Sequence, residues 1–196
     1  MTDMILPAGP ADLAAVAETL AQAFQSDPAL SWILPDPDHR TRALRSLFHV
    51  LVPADARAGI VLRSPGDETA SLWRAPGQAH SGTLEFLRTV IPLVAIFGTA
   101  LPRGLKVQGS IDAHRPKGRF WYLHYVGVRP DHQGKGHGGR IIRAQTAVAD
   151  REGLPCWLET ATPENVPLYE RLGFVAHVEW DIAGGPHFWG MMRAPS

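Results

Sequence analysis

A glycine-rich turn at residues 132–139, His-Gln-Gly-Lys-Gly-His-Gly-Gly, contains the residues whose spacing indicates chemistry most clearly. Small residues leave backbone N–H groups bare, and at the start of a helix such groups bind phosphate oxygens. Aromatic and β-branched residues at 120–128 precede the turn, and a helical pattern at 141–151 follows it. Three basic side chains add positive charge: Lys135, Arg140 and Arg143. The pattern predicts a phosphate-binding turn, although a glycine cluster can also serve only as a flexible turn.

The same turn also satisfies a dinucleotide-binding pattern. Gly134, Gly136 and Gly139 have GxGxxG spacing, and Glu159 follows twenty residues after Gly139. However, five residues separate Val128 from Gly134, where that fingerprint expects an immediate turn. Too few β–α units then remain to complete a doubly wound sheet. A nucleotide-dependent oxidoreductase is therefore a distant alternative.

Both helices and strands must position this turn. The 17 prolines and 19 glycines among 196 residues favour many turns and short elements. In the first half, the patterns predict a strand at 4–6, helices at 12–25, 44–51 and 82–101, and a hairpin of strands at 60–62 and 70–73. In the second half, they predict strands at 120–128, 155–159, 174–180 and 187–192, with helices at 141–151 and 163–172. The order is mixed α/β, and residues 102–117 receive no clear assignment.

Charge and composition exclude several classes of protein. Nineteen basic and nineteen acidic residues give a net charge of zero, so no global field attracts nucleic acid or an anionic membrane. The most apolar stretch, Val90–Leu101, is twelve residues long, whereas a membrane span needs about 20. A single cysteine, Cys156, can form neither an internal disulfide nor a thiolate cluster, and His132 and His137 have no third ligand placed by the sequence. We expect a cytoplasmic protein with no metal, nucleic-acid or membrane partner.

The residues around the turn resemble a known family. Val126-Gly127-Val128-Arg129-Pro130, followed by Gln133-Gly134-Lys135-Gly136-His137-Gly138, is similar to the acyl-CoA motif, (Arg or Gln)-x-x-Gly-x-(Gly or Ala), of the GNAT N-acetyltransferase superfamily. Leu158-Glu159-Thr160, Asn165 and residues 168–174 resemble the rest of that family's second half. Within the family, the resemblance is to puromycin N-acetyltransferase-like members. It is strong over residues 119–193 and faint over residues 10–76.

This resemblance implies one GNAT domain over residues 1–196, with an acceptor-side half at about 1–117 and an acetyl-CoA-binding half at about 118–196. Its mixed central sheet would splay after the strand that ends at Val128 and admit the pantetheine arm of acetyl-CoA. No metal is required. The residues that the resemblance assigns to acetyl-CoA are Val126, Gly127, Val128, Gln133, Gly134, Lys135, Gly136, His137, Gly138, Gly139, Asn165 and Tyr169.

Direct acetyl transfer needs a base for the amine and an acid for the departing thiolate. The resemblance implies that Tyr169 is the acid, on the same helix face as Asn165. As the base we rank Glu159 first, because apolar neighbours raise the pKa of a carboxyl group. His124 ranks second, because imidazole titrates near neutrality without help. A purely structural role is an equally good interpretation of each residue. Glu159 could only bond a backbone amide, and His124 could be a hydrogen-bonded core residue.

Aromatic residues of the first half are candidates for the acceptor pocket. Trp32 and Trp73 are the predicted substrate-binding residues, with Phe86 and Phe97 as further candidates. The favoured function is transfer of an acetyl group to the primary amine of a small, aromatic or apolar molecule. A protein or peptide N-acetyltransferase and a non-catalytic acyl-CoA-binding regulator are the alternatives. The identity of the amine and the oligomeric state, a homodimer included, stay open.

Overall fold

The computed structural model describes residues 4–80 and 83–196, with the backbone alone for residues 83–87. One open sheet contains the strands β1 (Leu6–Pro7), β2 (Gly59–Arg63), β3 (Thr69–Arg74), β4 (Trp121–Val128), β5 (Cys156–Thr160), β6 (Val175–Asp181) and β7 (His187–Arg193). Its order is β1-β2-β3-β4-β5-β7-β6, and among these seven strands β4 and β5 form the parallel pair. The mixed α/β class predicted from the sequence is confirmed.

The helices are α1 (Leu13–Ala23), α2 (Pro28–Ile33), α3 (Pro37–Ala58), α4 (Thr83–Phe97), α5 (Leu101–His114), α6 (His137–Glu152) and α7 (Val166–Arg171). Helices α1 and α3 cover one face of the sheet, and α6 covers the other. Proline in the first turn and an aspartate cap start two of them: Asp27 Oδ1 accepts a hydrogen bond from Leu30 N at 2.9 Å, and Asp36 Oδ1 accepts one from His39 N at 2.6 Å.

Two apolar cores lie on the two sides of the sheet. The first includes Leu20, Phe48 and Leu72, and the second includes Leu123 and Ile141. Period-two alternation along the strands distributes the apolar side chains between the two cores, while the helices supply stripes with a period near 3.6 residues. The sheet is therefore buried on both faces where it carries the site.

The hairpin predicted at 60–62 and 70–73 is confirmed as the antiparallel pair β2 and β3. Helix α5 is the main difference from the sequence prediction, which left 102–117 unassigned. Gly104 and Gly109 have weak helix propensity and obscured it. The helix forms because Pro102 occupies its first turn and because it packs on α2 and α4.

From Arg88 in α4, through a short 3-10 turn, to His114 at the end of α5, the chain makes a long helical run. By length and composition alone, these 27 residues are apolar enough to cross a membrane, and 11% of the most apolar window is buried. The run is longer than the stretch Val90–Leu101 noted in the sequence, because α5 continues it. Leu93 and Phe97 on one face of the run line the cleft described below.

Candidate active site

The site begins where β4 and β5 separate. Their parallel ladder pairs Trp121 with Cys156, Tyr122 with Trp157 and Leu123 with Leu158, and no pair follows along either described strand. At the same level β4 has a bulge against β3, because Leu72 pairs with Tyr125 while Trp73 pairs with Leu123. The bulge leaves His124 without a partner on β3. The sheet therefore splays from His124 onward, four residues earlier along β4 than Val128, where the resemblance placed the splay.

Backbone groups of β4 face into the splay. The carbonyl of Gly127 accepts a hydrogen bond from Thr69 Oγ1, and the N–H of Arg129 donates to Glu68 O, so both of these residues face β3. Adjacent residues of a strand direct their peptide groups to opposite edges. The peptide groups of Val126 and Val128 therefore lie at the open edge, as an inserted chain-like ligand requires.

Gly127 has a packing role that the sequence did not reveal. A Cβ there would lie 2.7 Å from the Cβ of Ala23 and 3.0 Å from Leu20 Cδ2. Contacts this short are incompatible with a larger residue in a rigid core. Gly127 therefore lets α1 approach β4 closely, besides lying on the wall of the cleft.

The glycine-rich turn leads directly into α6. Gly134 and Gly136 have φ angles of +73° and +80°, which favour glycine, and a Cβ on either would meet nothing within 4 Å. Gly136 is the N-cap of α6, so the N–H groups of the first helical turn point toward this open space. The predicted phosphate-binding geometry is therefore present: bare amides, a helix N-terminus and room for a ligand.

A single cleft of about 1260 Å³ connects this turn to the splay and to the helices of the first half. All but one of the twelve residues assigned to acetyl-CoA line it. The exception is Lys135, which is exposed and whose Nζ donates to Asp131 O at 2.9 Å. The Lys135 side chain therefore ties the turn to the preceding segment, and its role toward acetyl-CoA stays a prediction.

Tyr169 is buried at the cleft wall, on α7, and its ring packs edge-on against Phe174. Burial raises the pKa of the Tyr169 phenol above its usual value of 10.0. The phenol is therefore protonated at neutral pH and can donate a proton.

Glu159 lies in a closed polar cluster. Trp157 Nε1 donates a hydrogen bond to Glu159 Oε1 at 2.5 Å, Tyr122 also hydrogen-bonds the carboxylate, and Arg115 Nε lies 3.6 Å from it. Burial raises the pKa of Glu159, while Arg115, Trp157 and Tyr122 oppose this shift in part. The side chain is 4% exposed. Oε1 is therefore occupied by a protein donor, although the residue lines the cleft.

His124 lies at the bulge with an open side. Its Nδ1 is 2.7 Å from Asp55 Oδ2, and Asp55 Oδ1 accepts a 2.6 Å hydrogen bond from Arg74 Nε. The imidazole stacks on Tyr122 at 5.3 Å and lies 4.4 Å from the ring of Tyr125. The sequence prediction that Tyr122 and His124 share a face of the strand is thus confirmed.

Sequence reasoning did not identify Asp55, Arg74 or Arg115 as site residues. The sequence position of Asp55 could have identified it, because Asp55 continues the buried helix face that Phe48 and Val52 form on α3. A carboxylate on an otherwise apolar helix face needs a buried partner. Arg74 gave the same signal, as a charged residue ending a buried strand.

Neither tryptophan predicted to bind substrate lies on the cleft. Trp73 is fully buried, and its Nε1 donates to Ser71 Oγ at 3.1 Å. Its side chain packs in the second core because strand alternation turns it toward Ile141. Trp32 instead donates from Nε1 to Gly184 O at 2.6 Å and so ties α2 to the turn before β7. Both expectations are corrected, and the side chain of Phe86 lies outside the described residues.

The acceptor end of the cleft has apolar walls. They come from α1 to α5 and include Phe24, Leu30, Ile33, Leu47, Leu51, Leu93 and Phe97, of which Phe97 was predicted. Of the charged side chains that line the cleft, Arg74 is paired with the buried Asp55 and Arg115 with Asp112 at 2.7 Å, while Asp27 caps α2. Over residues 4–80 and 83–196, no group of three or more His, Cys, Asp or Glu is placed to hold a metal ion. The chamber therefore suits an uncharged, apolar body.

Comparison with protein families gives one match. Residues 95–174 match the family described as Acetyltransferase (GNAT) family. These residues run from α4 to the end of α7 and include the splay and the glycine-rich turn. An uncharacterised N-acetyltransferase of Schizosaccharomyces pombe is 29% identical over 176 residues, which are 84% of this chain and 71% of that protein.

Solved structures share the fold over nearly the whole chain. One solved structure is described as histone acetyltransferase HPA2 and related acetyltransferase from Corynebacterium glutamicum. Its sequence is 29% identical to this chain, and the two folds superpose with a TM-score of 0.74 over 98% of this chain and 96% of that one. Arylalkylamine N-acetyltransferase 2 from Aedes aegypti has a TM-score of 0.67 at 12% identity, covering 98% and 99% of the two chains. The second likeness concerns the fold alone.

Proposed function

We propose that this chain is a GNAT-family acetyltransferase, which moves an acetyl group from acetyl-CoA to the primary amine of a small, apolar molecule by direct transfer. One observation carries this proposal. A phosphate-binding turn, an open strand edge, an imidazole, a buried phenol and an apolar chamber line the same cleft.

The residues of the cleft fit acetyl-CoA, which supplies the acetyl group as a thioester. Amides of residues 134–139 bind the pyrophosphate at the start of α6, where the helix dipole favours negative charge. The peptide groups of Val126 and Val128 pair with the pantetheine arm along the open edge of β4. Asn165 lies on the opposite wall and contacts the same arm.

His124 is the base in this proposal, ahead of Glu159. Nε2 of His124 takes the proton that the amine loses as its nitrogen bonds to the acetyl carbon. The hydroxyl of Tyr169 gives a proton to the sulfur as the carbon–sulfur bond breaks, so the thiol leaves neutral. Glu159 instead helps to hold Arg115 beside the chamber, because its Oε1 already accepts the hydrogen bond of Trp157 and lies 3.6 Å from Arg115 Nε.

The chamber favours a small amine over a protein acceptor. A histone tail, the acceptor named for the Corynebacterium relative, presents several lysines, which need unpaired carboxylates and an open groove. Here Asp112 is paired with Arg115, Asp27 accepts a hydrogen bond from the backbone of α2, and the walls are apolar. The name of the Aedes protein, an arylalkylamine acetyltransferase, describes an amine with an apolar body that fits such a chamber.

Thiol release from acetyl-CoA, measured with a panel of amines, tests this function. The panel contains arylalkylamines, linear alkylamines, puromycin, spermidine and a lysine-rich peptide. We expect release that depends on the apolar monoamines, and puromycin tests the resemblance to puromycin N-acetyltransferase-like members. Release with the peptide alone would indicate a protein acetyltransferase. Tight acetyl-CoA binding without release by any amine would indicate an acyl-CoA-binding regulator, and either result would overturn the proposal.

A further inference from the structure

We propose that Asp55 is a positioning residue of this reaction: it fixes the orientation and tautomer of His124, so that Nε2 is unprotonated and directed to the acceptor amine. The inference rests on the proposed function, because it assigns the device that makes His124 a base. It concerns a residue on α3, 69 positions from His124 in the sequence.

Burial and bonding fix the position of Asp55. The side chain is fully buried in the last turn of α3. Its two oxygens have separate partners, His124 Nδ1 at 2.7 Å and Arg74 Nε at 2.6 Å. Arg74 is itself 3% exposed and is held by β3, the strand beside β4. Because both partners of Asp55 belong to the central sheet, the carboxylate has little freedom to move.

The tautomer of His124 follows from the charge of Asp55. Burial opposes ionisation, but the hydrogen bond with His124 and the ion pair with Arg74 outweigh it and lower the pKa of Asp55 below its usual 3.8. An ionised carboxylate only accepts hydrogen bonds, so Nδ1 must carry the proton. In a neutral imidazole the other nitrogen is then an acceptor. Nδ1 and Nε2 lie on opposite sides of the ring, and the side chain is 16% exposed to the cleft.

The other charged or titratable groups around the imidazole do not compete for this role. Among the described residues they are Arg74 on β3, Tyr122 and Tyr125 on β4, and Glu159 on β5. Burial raises the pKa of both tyrosines, so their phenols are neutral near neutral pH. Glu159 is held by Arg115 and Trp157. Asp55 is therefore the carboxylate that hydrogen-bonds the ring.

Asp55→Asn reverses the proposed tautomer without removing the side chain. Arg74 Nε still requires an oxygen, so the amide oxygen faces Arg74 and the NH₂ group faces His124 Nδ1. Nδ1 must then accept, and the proton moves to Nε2, where it blocks the base. We expect a loss in kcat of about tenfold or more, with an unchanged KM for acetyl-CoA.

A double-mutant cycle separates positioning from a general structural effect. If Asp55 acts through His124, Asp55→Asn has no further effect on kcat in a His124→Gln background. Losses that multiply in the double variant would overturn the proposal. Asp150→Asn is the matched control, because Asp150 also forms a short ion pair, with Arg193 at 2.6 Å, outside the cleft. This control is expected to leave kcat and the pH profile unchanged.

Nitrogen-15 NMR of the histidine side chains tests the tautomer in the unmodified protein. The His124 signals are assigned by their loss in His124→Gln. We expect a protonated Nδ1 and an unprotonated Nε2 near pH 8, and the opposite tautomer would overturn the proposal even if Asp55→Asn fails to fold. The spectrum does not depend on turnover. An inactive wild-type protein with the expected tautomer would therefore contradict the proposed function alone.

Discussion

At the scale of residues, the cleft contains two side chains that could accept a proton, and their neighbours distinguish them. His124 has one bonded nitrogen and one open nitrogen. The oxygens of Glu159 face Trp157, Tyr122 and Arg115. The sequence placed both residues near the splay but not these partners, because Asp55 and Arg115 come from helices distant in the chain. Its ranking of Glu159 first therefore stays a prediction, which single substitutions can test.

Substitution of His124 and of Glu159 should lower kcat by different factors. We expect His124→Gln to lower kcat by about 100-fold, because glutamine cannot take up the amine proton. Glu159→Gln should lower kcat by less than about tenfold, because the amide oxygen still accepts from Trp157. His49→Gln, on the exposed side of α3, is the matched control. Steady-state kinetics that show the larger loss in Glu159→Gln would reverse the assignment.

Tyr169→Phe tests the acid. In the proposed mechanism the phenol gives a proton to the leaving sulfur, so we expect kcat to fall by about 100-fold while calorimetry shows unchanged binding of CoA. Because burial raises the pKa of Tyr169 above 10.0, the wild-type phenol keeps its proton throughout the physiological range. The wild-type rate at saturating amine should therefore show no decline with rising pH below about pH 9. A decline there would indicate another acid.

At the scale of elements, the two ends of α6 provide a matched pair of glycines. Gly136 and Gly153 have φ angles of +80° and +65°, and a Cβ on either meets nothing within 4 Å. Alanine at either position should cost about 1 kcal/mol of unfolding free energy through backbone strain. Only Gly136→Ala should also weaken acetyl-CoA binding, because only that end faces the cleft. Equal binding by both variants would remove the turn from the phosphate site.

The elements that the sequence predicted well are those with clear local signals. The glycine-rich turn, the β-branched strand before it and the hairpin at β2 and β3 all have such signals. The bulge at His124 has none, because it depends on the register of β3 against β4. Likewise Trp73 was assigned to substrate binding because its residue type suits a pocket, whereas strand alternation turns it to the opposite core. Helix α5 depends on packing that propensity does not report.

At the scale of the whole molecule, the sequence resemblance covered residues 119–193 better than residues 10–76. The motif proposed to bind acetyl-CoA is one continuous stretch around the glycine-rich turn, so it is readable from the sequence. The chamber walls are apolar side chains from α1 to α5, whose spacing is also that of ordinary core helices. Only the assembled fold shows that Phe97 lies on the cleft wall whereas Trp73 packs in the core.

Stability toward acid depends on an ion pair that connects α6 to β7. Two hydrogen bonds, at 2.6 and 2.8 Å, join Asp150 to Arg193 and hold the pKa of Asp150 below its usual 3.8. A lowered carboxyl pKa stabilises the fold above the usual value, and this contribution disappears as the pH falls through the lowered one. The stability difference between wild type and Asp150→Asn should therefore be largest near pH 7 and shrink below about pH 4. Urea unfolding measures it, and a constant difference would contradict the assignment.

The most direct test of the whole account measures both products of one reaction. Wild-type protein, acetyl-CoA and an arylalkylamine are mixed near pH 8, and mass spectrometry of the amine is combined with a thiol assay. The account predicts N-acetylated amine and free thiol in equal amounts, with both strongly reduced in His124→Gln. Thiol without acetylated amine, or equal yields in wild type and His124→Gln, would contradict it.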